Sequence, residues 1–438
     1  MIRVANKVAS ECPALAKDLL QRAFDQADGV EPATAYKLAG GKGVNTDSRI
    51  FFKKKTYDLA MDSLSLQSRA VIAMAPLDAK KAIHLFRQMS PPRPPAATCA
   101  SGFAPDVSIY YDALAKILAV VKAQKPHSDA EAQAPFLLLQ EVVSAITSPV
   151  QLAPLAKVLN EANLSPTELS PLLTTIAAAV ENFPVDDDSF SYWGSYPAAK
   201  AKDQLVQLAA SKQISTAAFL RSFYDYLDRS LNGAHCAGNE PKDVKELATL
   251  YRSFTHTPGV PEQGVDPLHI PDTAPPIEPG PDPGEYWQTP KGKELLLEGK
   301  HLNFDDNWQP FTDADFKTPV WQDRVRHLLY DMENWSPSDE PTAADYYHET
   351  EILIFRVLSR LQPGNTLYDQ VLAVWIKTFT ESSLQWDNPA EWYIGVSEFL
   401  QFSRKDMKGP PPATAIAVLR NSSNPHLNSI GVLTEFLQ

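Results

Sequence analysis

The stretch LSLQSRAVIAMAPLDAKKAIHLFRQM, residues 64–89, indicates the fold class. Apolar side chains recur at i, i+4, i+7 and i+8 in its first half and at i, i+3, i+4 and i+7 in its second half, which is the helical period. These positions are Leu66, Ala70, Ala73 and Met74, then Ala82, Leu85, Phe86 and Met89. Pro76 lies between the halves, and its fixed φ and missing N–H suit the start of a second helix better than the middle of one long helix. The stretch therefore predicts a helical hairpin, and no catalytic pattern in the chain is as well specified.

Two short patterns recur along the chain at spacings typical of repeated helix pairs. The pattern A-x-x-L-[LF]-x-x-[AM] occurs at residues 16–23 and 82–89, an offset of 82 − 16 = 66 residues, or two periods of about 33. The pattern S-P-x-[QE]-L-x-P-L occurs at residues 148–155 and 165–172, an offset of 17 residues, which is one helix plus a turn. Twice 17 is again a two-helix unit of about 34 residues.

Each S-P-x-[QE]-L-x-P-L copy carries the chemistry of a helix start. Serine can cap the helix, proline suits the first helical position, and Gln or Glu at the third position can reach back to the cap. The second proline of each copy would remove an early helical hydrogen bond. We therefore expect each helix either to kink at Pro154 and Pro171 or to begin there.

On these two patterns, residues 1–255 resemble α-solenoid proteins of the tetratricopeptide-like class. The resemblance implies stacked antiparallel helix pairs and, by analogy of fold, the binding of a protein or peptide partner. The chain departs from the tetratricopeptide consensus because its first helices lack the Trp, Gly and Tyr pattern. Long loops such as residues 90–104 are insertions in this scheme, and Pro105 is expected to open the helix that follows this loop.

A change of composition divides the chain. The segment from His256 to Gly284 holds nine prolines and five acidic residues, which is typical of a stiff, polyproline-like linker. Seven of the eight tryptophans follow it, together with helical periodicity in four further segments. These segments are residues 317–333, 342–361, 366–381 and 388–403. We predict an all-α protein made of a helical-repeat domain at 1–255, a Pro-rich linker at 256–285 and a smaller Trp-rich helical domain at 286–438.

Charge and hydropathy limit the partners and the compartment. A net charge of −13 argues against nucleic acid as the main partner, because binding to a phosphate backbone needs a clustered positive surface. No run of 18 apolar residues occurs, so we predict a soluble chain without a membrane span. The N-terminus lacks the apolar core of an export signal, which indicates a cytoplasmic protein as the sequence is written. A true start upstream of Met1 would hide such a signal, and a periplasmic location then stays open.

Three cysteines, Cys12, Cys99 and Cys236, follow no metal-binding spacing. Cys99 and Cys236 each lie among small residues, in TCASG and AHCAG, so a disulfide between them is one interpretation. The other is that all the thiols are unpaired or buried.

No catalytic or metal-binding pattern in the sequence is complete. His348 and Glu349 match the start of a zincin helix, but Ile352 stands where that motif needs its second histidine. We therefore predict no catalytic residue, no metal and no cofactor. The similar segments NWQP at 307–310 and NWSP at 334–337 are interpreted as repeated corners between helices. Alternatively, Trp308 and Trp335 are aromatic platforms for a sugar or peptide.

Two functional hypotheses follow. The leading one is a non-enzymatic interaction or scaffold protein whose helical-repeat surface holds a partner polypeptide. The alternative is a helical enzyme or carbohydrate-binding protein that uses Trp, Asp and His residues of the C-terminal domain. An RNA-binding repeat array ranks third because of the negative charge.

Overall fold

The protein is all-α, as the periodicity predicted. The computed structural model describes residues 1–28, 35–38, 62–94, 103–124, 128–185, 197–231, 254–257, 290–305, 307, 309–312, 314–334, 357, 360–361, 366–371, 373–374, 413–422 and 425–437. The described residues up to Thr257 belong to one compact unit and those from Pro290 onward to a second. The domain boundaries at 255 and 285 stay predictions. No helix in the described ranges is long and apolar enough to cross a membrane.

The first unit contains ten described helices. Their bounds are α1 Ile2–Val8, α2 Pro13–Ala27, α3 Ser63–Met74, α4 Ala79–Gln88, α5 Ser108–Ala123, α6 Asp129–Ser144, α7 Leu152–Ala162, α8 Pro166–Glu181, α9 Pro197–Ser211 and α10 Ala217–Leu231. A continuous apolar core joins them, from Ala5 in α1 to Tyr226 in α10. Two short strands, β1 Ala35–Leu38 and β2 Phe103–Asp106, pair antiparallel, with Ala35 opposite Asp106 and Leu38 opposite Phe103.

The hairpin predicted at residues 64–89 is confirmed as α3 and α4, which pack on each other. Aspartates cap both helices: Asp62 accepts from the Ser65 backbone N–H at 3.0 Å, and Asp78 accepts from the Lys81 N–H at 3.1 Å. Pro76 lies in the connector and not in the first turn of α4. The hairpin therefore turns at the proline, and the second helix begins at its aspartate cap.

The helices of the first unit pack in two rows. In the first row, α2, α3, α5, α7 and α9 each contact the next in that order. In the second row, α6 contacts α8 and α8 contacts α10. An ion pair links α4 to α6, since Arg87 donates to both carboxylate oxygens of Glu141 at 3.0 and 2.9 Å. From α3 onward, helices of the same row are thus two apart in the numbering, and each chain reversal crosses from one row to the other.

The spacing of the first row differs from the predicted period of about 33. The helices α3, α5, α7 and α9 begin at residues 63, 108, 152 and 197, so the steps from α3 onward are 45, 44 and 45 residues, after a step of 50 residues from α2, which begins at residue 13. The two copies at an offset of 66 lie in α2 and α4, which occupy different rows, and the two copies at an offset of 17 lie in α7 and α8. The period of 33–34 was wrong because a short apolar motif reports that a helix is amphipathic and not which row it occupies.

Pro105, Pro154 and Pro171 were candidate helix starts, and none of them begins a helix. Pro105, expected to open a helix, lies in β2, and α5 begins only at Ser108, whose N–H donates to Asp106 at 3.0 Å. The second prolines of the repeated pattern do not start their helices either. A 3₁₀ turn, Pro149–Gln151, leads into α7 at Leu152, and α8 begins at Pro166 and runs through Pro171.

The second unit contains four described helices: α11 Pro290–His301, α12 Pro319–Asn334, α13 Ala413–Arg420 and α14 Pro425–Leu437. Of the four segments predicted here, 317–333 is confirmed as α12, and the described residues of 366–381, which are 366–371 and 373–374, are helical. Most of 342–361 and all of 388–403 lie outside the described residues. Helix α11 packs on α12, and α13 packs on α14. Gly431 allows that second contact, because a Cβ there would lie 2.6 Å from the backbone nitrogen of Arg420.

Candidate binding cleft

An open cleft of about 720 Å³ lies in the first unit, at the edge where α5 and α7 end and α4 and α8 begin. Its volume falls within the range of roughly 300–1,000 Å³ that is usual for ligand sites. Most of its lining is apolar. The lining residues are Ala79, Lys80, Ile83, Ala115, Leu118, Ala119, Val121, Lys122, Gln124, Ala134, Pro135, Phe136, Leu139, Val158, Glu161, Ala162, Asn163, Leu164 and Glu168.

Small side chains form much of the lining of the cleft. Five of the lining residues are alanines, and they come from four helices: Ala79, Ala115, Ala119, Ala134 and Ala162. A single methyl group cannot fill the space between helices that larger residues hold apart. The core nearby is packed by larger residues such as Leu118 and Leu139, which are buried beneath the cleft. The small size of the lining alanines therefore contributes to the open space of the cleft.

Charged side chains of both signs surround the apolar lining. Lys80 and Lys122 are exposed on α4 and α5, and Glu161 is exposed at the end of α7. Glu168 also caps α8: its carboxylate accepts from the Ser165 hydroxyl at 2.7 Å and from the Ser165 N–H at 2.8 Å. These hydrogen bonds lower the pKa of Glu168, so it is a fixed anion at neutral pH.

The turn between α7 and α8 shapes the end of the cleft that carries these glutamates. Helix α7 stops at Asn163, whose backbone is left-handed with φ 50° and ψ 50°, a conformation that asparagine tolerates better than most residues. Leu164 then turns its side chain into the core, and Ser165 caps the next helix. The reversal takes only three residues, which brings Glu161 and Glu168 to the same edge.

Lys202 is the one fully buried lysine among the described residues, and its contacts show a structural role. Its Nζ donates to the carbonyls of Phe254 at 2.7 Å and His256 at 3.2 Å and to the Thr257 hydroxyl at 2.9 Å, with Asp203 at 2.7 Å. Burial lowers the pKa of Lys202. The ammonium satisfies carbonyls where helical backbone ends, so it anchors residues 254–257 to α9.

The residues predicted as candidate sites are not tested by the structure. Trp308 and Trp335 lie outside the described residues, and so do Cys99 and Cys236. The third cysteine, Cys12, is exposed and unpaired.

The described aspartates near Trp308 have local roles. Asp305 accepts from the Asn307 and Gln309 N–H groups, both at 2.8 Å. Asp315 accepts from the N–H and hydroxyl of Thr312 at 2.7 and 2.6 Å, which lowers its pKa. Both carboxylates order turns of the backbone.

No local sequence pattern indicates the cleft. Its alanines belong to helices whose amphipathic patterns look ordinary one at a time. The missing information is which helix faces which, since a gap appears only when small residues on several helices meet. A comparison of the chain with protein-family models, with curated proteins and with solved structures finds no match.

Proposed function

We propose that this protein is a non-enzymatic interaction protein whose stacked helix pairs hold a partner polypeptide, with the cleft of the first unit receiving an apolar face of that partner. The observation that carries the proposal is the cleft itself, an apolar groove on four helices bordered by lysines and glutamates. The row order of the helices and their steps of 44 or 45 residues from α3 onward support a repeat-like stack.

The chemistry of the lining favours an amphipathic helix as the bound segment. Such a segment places apolar side chains at i, i+3 or i+4 and i+7 into a groove and keeps its charged face in water. Lys80 and Lys122 can pair with acidic residues of that face, and Glu161 and Glu168 with basic ones. The alanine-rich lining leaves room for larger apolar side chains from the partner.

A substitution that fills the cleft tests the proposal. Ala119 is exposed on α5 and lines the cleft, so Ala119→Trp places an indole in the groove without entering the core. Ala210→Trp is the matched control, since Ala210 is equally exposed on α9 and does not line the cleft. The helix-propensity cost of Ala to Trp is similar at both positions.

The measurement is lysine-reactive crosslinking of the full-length chain in native cell extract, followed by mass spectrometry of peptides joined to Lys80 or Lys122. We expect the wild type and Ala210→Trp to capture the same partner peptide and Ala119→Trp to capture it about tenfold less, equivalent to roughly 1.4 kcal/mol of binding. The captured peptide should show the apolar spacing of an amphipathic helix. Equal capture by Ala119→Trp, or a captured peptide without that spacing, would contradict the proposal.

A further inference from the structure

Three side chains that bind metals in other proteins converge in the second unit. Glu298 lies on α11, and His327 and Asp331 lie on α12, four residues and about one helical turn apart. One ligand atom from each, a carboxylate oxygen or an imidazole nitrogen, lies within 4.8 Å of the other two. His327 is exposed and the two carboxylates are half-buried, so the cluster is open to solvent on one side.

Two hydrogen bonds fix the register of these helices. The indole N–H of Trp321 donates to the carbonyl of Leu302 at 3.1 Å, and Arg324 Nη1 donates to the carbonyl of His301 at 3.0 Å. Both acceptors are at the end of α11, about one turn beyond Glu298. His327 and Asp331 follow Arg324 by three and seven residues, so they continue the same face of α12 past Glu298. The cluster is therefore set by helix packing, which is the kind of support that a metal site needs.

We propose that Glu298, His327 and Asp331 bind a divalent transition-metal ion of the zinc class. One imidazole nitrogen and two carboxylate oxygens suit such an ion, whereas Mg²⁺ and Ca²⁺ prefer six or more oxygens. Three protein ligands leave a fourth position for water. This inference is independent of the proposed function of the first unit.

The geometry requires only a small adjustment. Bonds of about 2.0–2.2 Å in a tetrahedral site place ligand atoms roughly 3.4 Å apart, so no separation has to shorten by more than about 1.4 Å. Rotation about the side-chain torsions of Glu298 and the exposed His327 can supply this change while the backbones stay in register. Only the His–Asp spacing on α12 is visible in the sequence, because the third ligand belongs to another helix.

The test is calorimetric titration of the metal-stripped, full-length protein with Zn²⁺, with native mass spectrometry for the stoichiometry. We expect one ion per chain and an affinity at least about tenfold lower in His327→Ala and in Asp331→Asn. His84→Ala is the matched control, because His84 is an exposed helical histidine of the first unit, and its affinity should equal that of the wild type.

Zn²⁺ should also raise the unfolding temperature of the wild type and of His84→Ala more than that of the two ligand variants, since a ligand stabilises the state that binds it. Absence of binding by the wild type overturns the proposal. Equal binding by the wild type and both ligand variants overturns it as well, because the ion would then be held elsewhere.

Discussion

The side-chain amide of Gln151 makes hydrogen bonds with four residues, although the residue is only 1% exposed. Its oxygen accepts from the N–H groups of Thr147 at 2.8 Å and Ser148 at 3.0 Å, at the start of the turn that leads into α7. Its nitrogen donates to the carbonyl of Pro92 at 3.1 Å and to the Tyr111 hydroxyl at 3.2 Å. One residue thus joins the segment after α4, helix α5 and the start of α7. A buried polar group with every hydrogen bond made is tolerated, and its partners become dependent on it.

Replacing this amide should cost far more than replacing its hydroxyl partner. Gln151→Leu keeps most of the volume but leaves two N–H groups and one carbonyl without their hydrogen bonds, so we expect a loss of about 2–4 kcal/mol of unfolding free energy. Tyr111→Phe removes one hydrogen bond and should cost about 1 kcal/mol. Urea unfolding of both variants and of the double variant measures this. If the two single losses are equal, or if they add fully in the double variant, the network has no central residue.

At the scale of helices, the two N-caps of the α3–α4 hairpin differ in electrostatics despite identical chemistry. Asp62 is 7% exposed, and burial raises its pKa although its hydrogen bonds with Ser65 oppose this. Asp78 lies at the surface, where the N–H of Lys81 and the ammonium of Lys17 at 3.1 Å lower its pKa. Folding therefore disfavours the ionised form of Asp62 and favours the ionised form of Asp78.

The stabilities of cap variants should consequently change with pH in opposite directions. The lowered pKa of Asp78 stabilises the fold above the unfolded-state value of about 3.9, and this contribution disappears as the pH falls through the folded-state pKa. The wild type should exceed Asp78→Asn by about 0.5–1 kcal/mol at pH 7 and lose this advantage below pH 4. The raised pKa of Asp62 has the opposite effect. The stability of the wild type relative to Asp62→Asn should therefore increase as the pH falls from 7 to 3. Urea midpoints between pH 7 and pH 3 check both, and parallel pH profiles would contradict the assignment.

The elements that were predicted correctly are those whose evidence is local. The period of 3.6 and the serine and glutamate at 165 and 168 act within one helix or its first turn. Errors arose where the deciding contact is distant. Pro105 looked like a helix start because its strand partner, Tyr36, is about seventy residues away in the chain. The period of 33 failed for the same reason, since row membership is fixed by contacts between helices.

The two candidate sites also depend on contacts between residues that are distant in the chain. The cleft depends on alanines from four helices, and the Glu298–His327–Asp331 cluster depends on two. Neither set forms a pattern within one segment. By contrast, the sites that did form local patterns, such as the paired Asn-Trp segments at 307 and 334, remain predictions. Chemistry assembled across helices can be read only after their packing is known.

At the scale of the first unit, the two rows determine how a local defect should spread. Each helix of the first row contacts mainly the helices before and after it in that row, so stability should be transmitted from neighbour to neighbour. Helix α10 is at one end of the second row, where it packs on α8. Helix α5 is in the middle of the first row, between α3 and α7, and also contacts α4 and α6. A cavity in α5 should therefore destabilise more neighbouring helices than an equivalent cavity in α10.

Phe223→Ala in α10 and Leu114→Ala in α5 test this directly, because both side chains are fully buried. We expect cavity costs of about 3–5 kcal/mol for the phenylalanine and about 2–5 kcal/mol for the leucine. Hydrogen exchange followed by mass spectrometry should show Phe223→Ala accelerating exchange in α8 and α10 and leaving α2 and α3 at the wild-type rate. Leu114→Ala should accelerate exchange on both sides of α5, in α3 and in α7. If Phe223→Ala instead accelerates α2 and α10 by the same factor, the unit unfolds as a single cooperative body, because neighbour-to-neighbour transmission would have left the far helices protected.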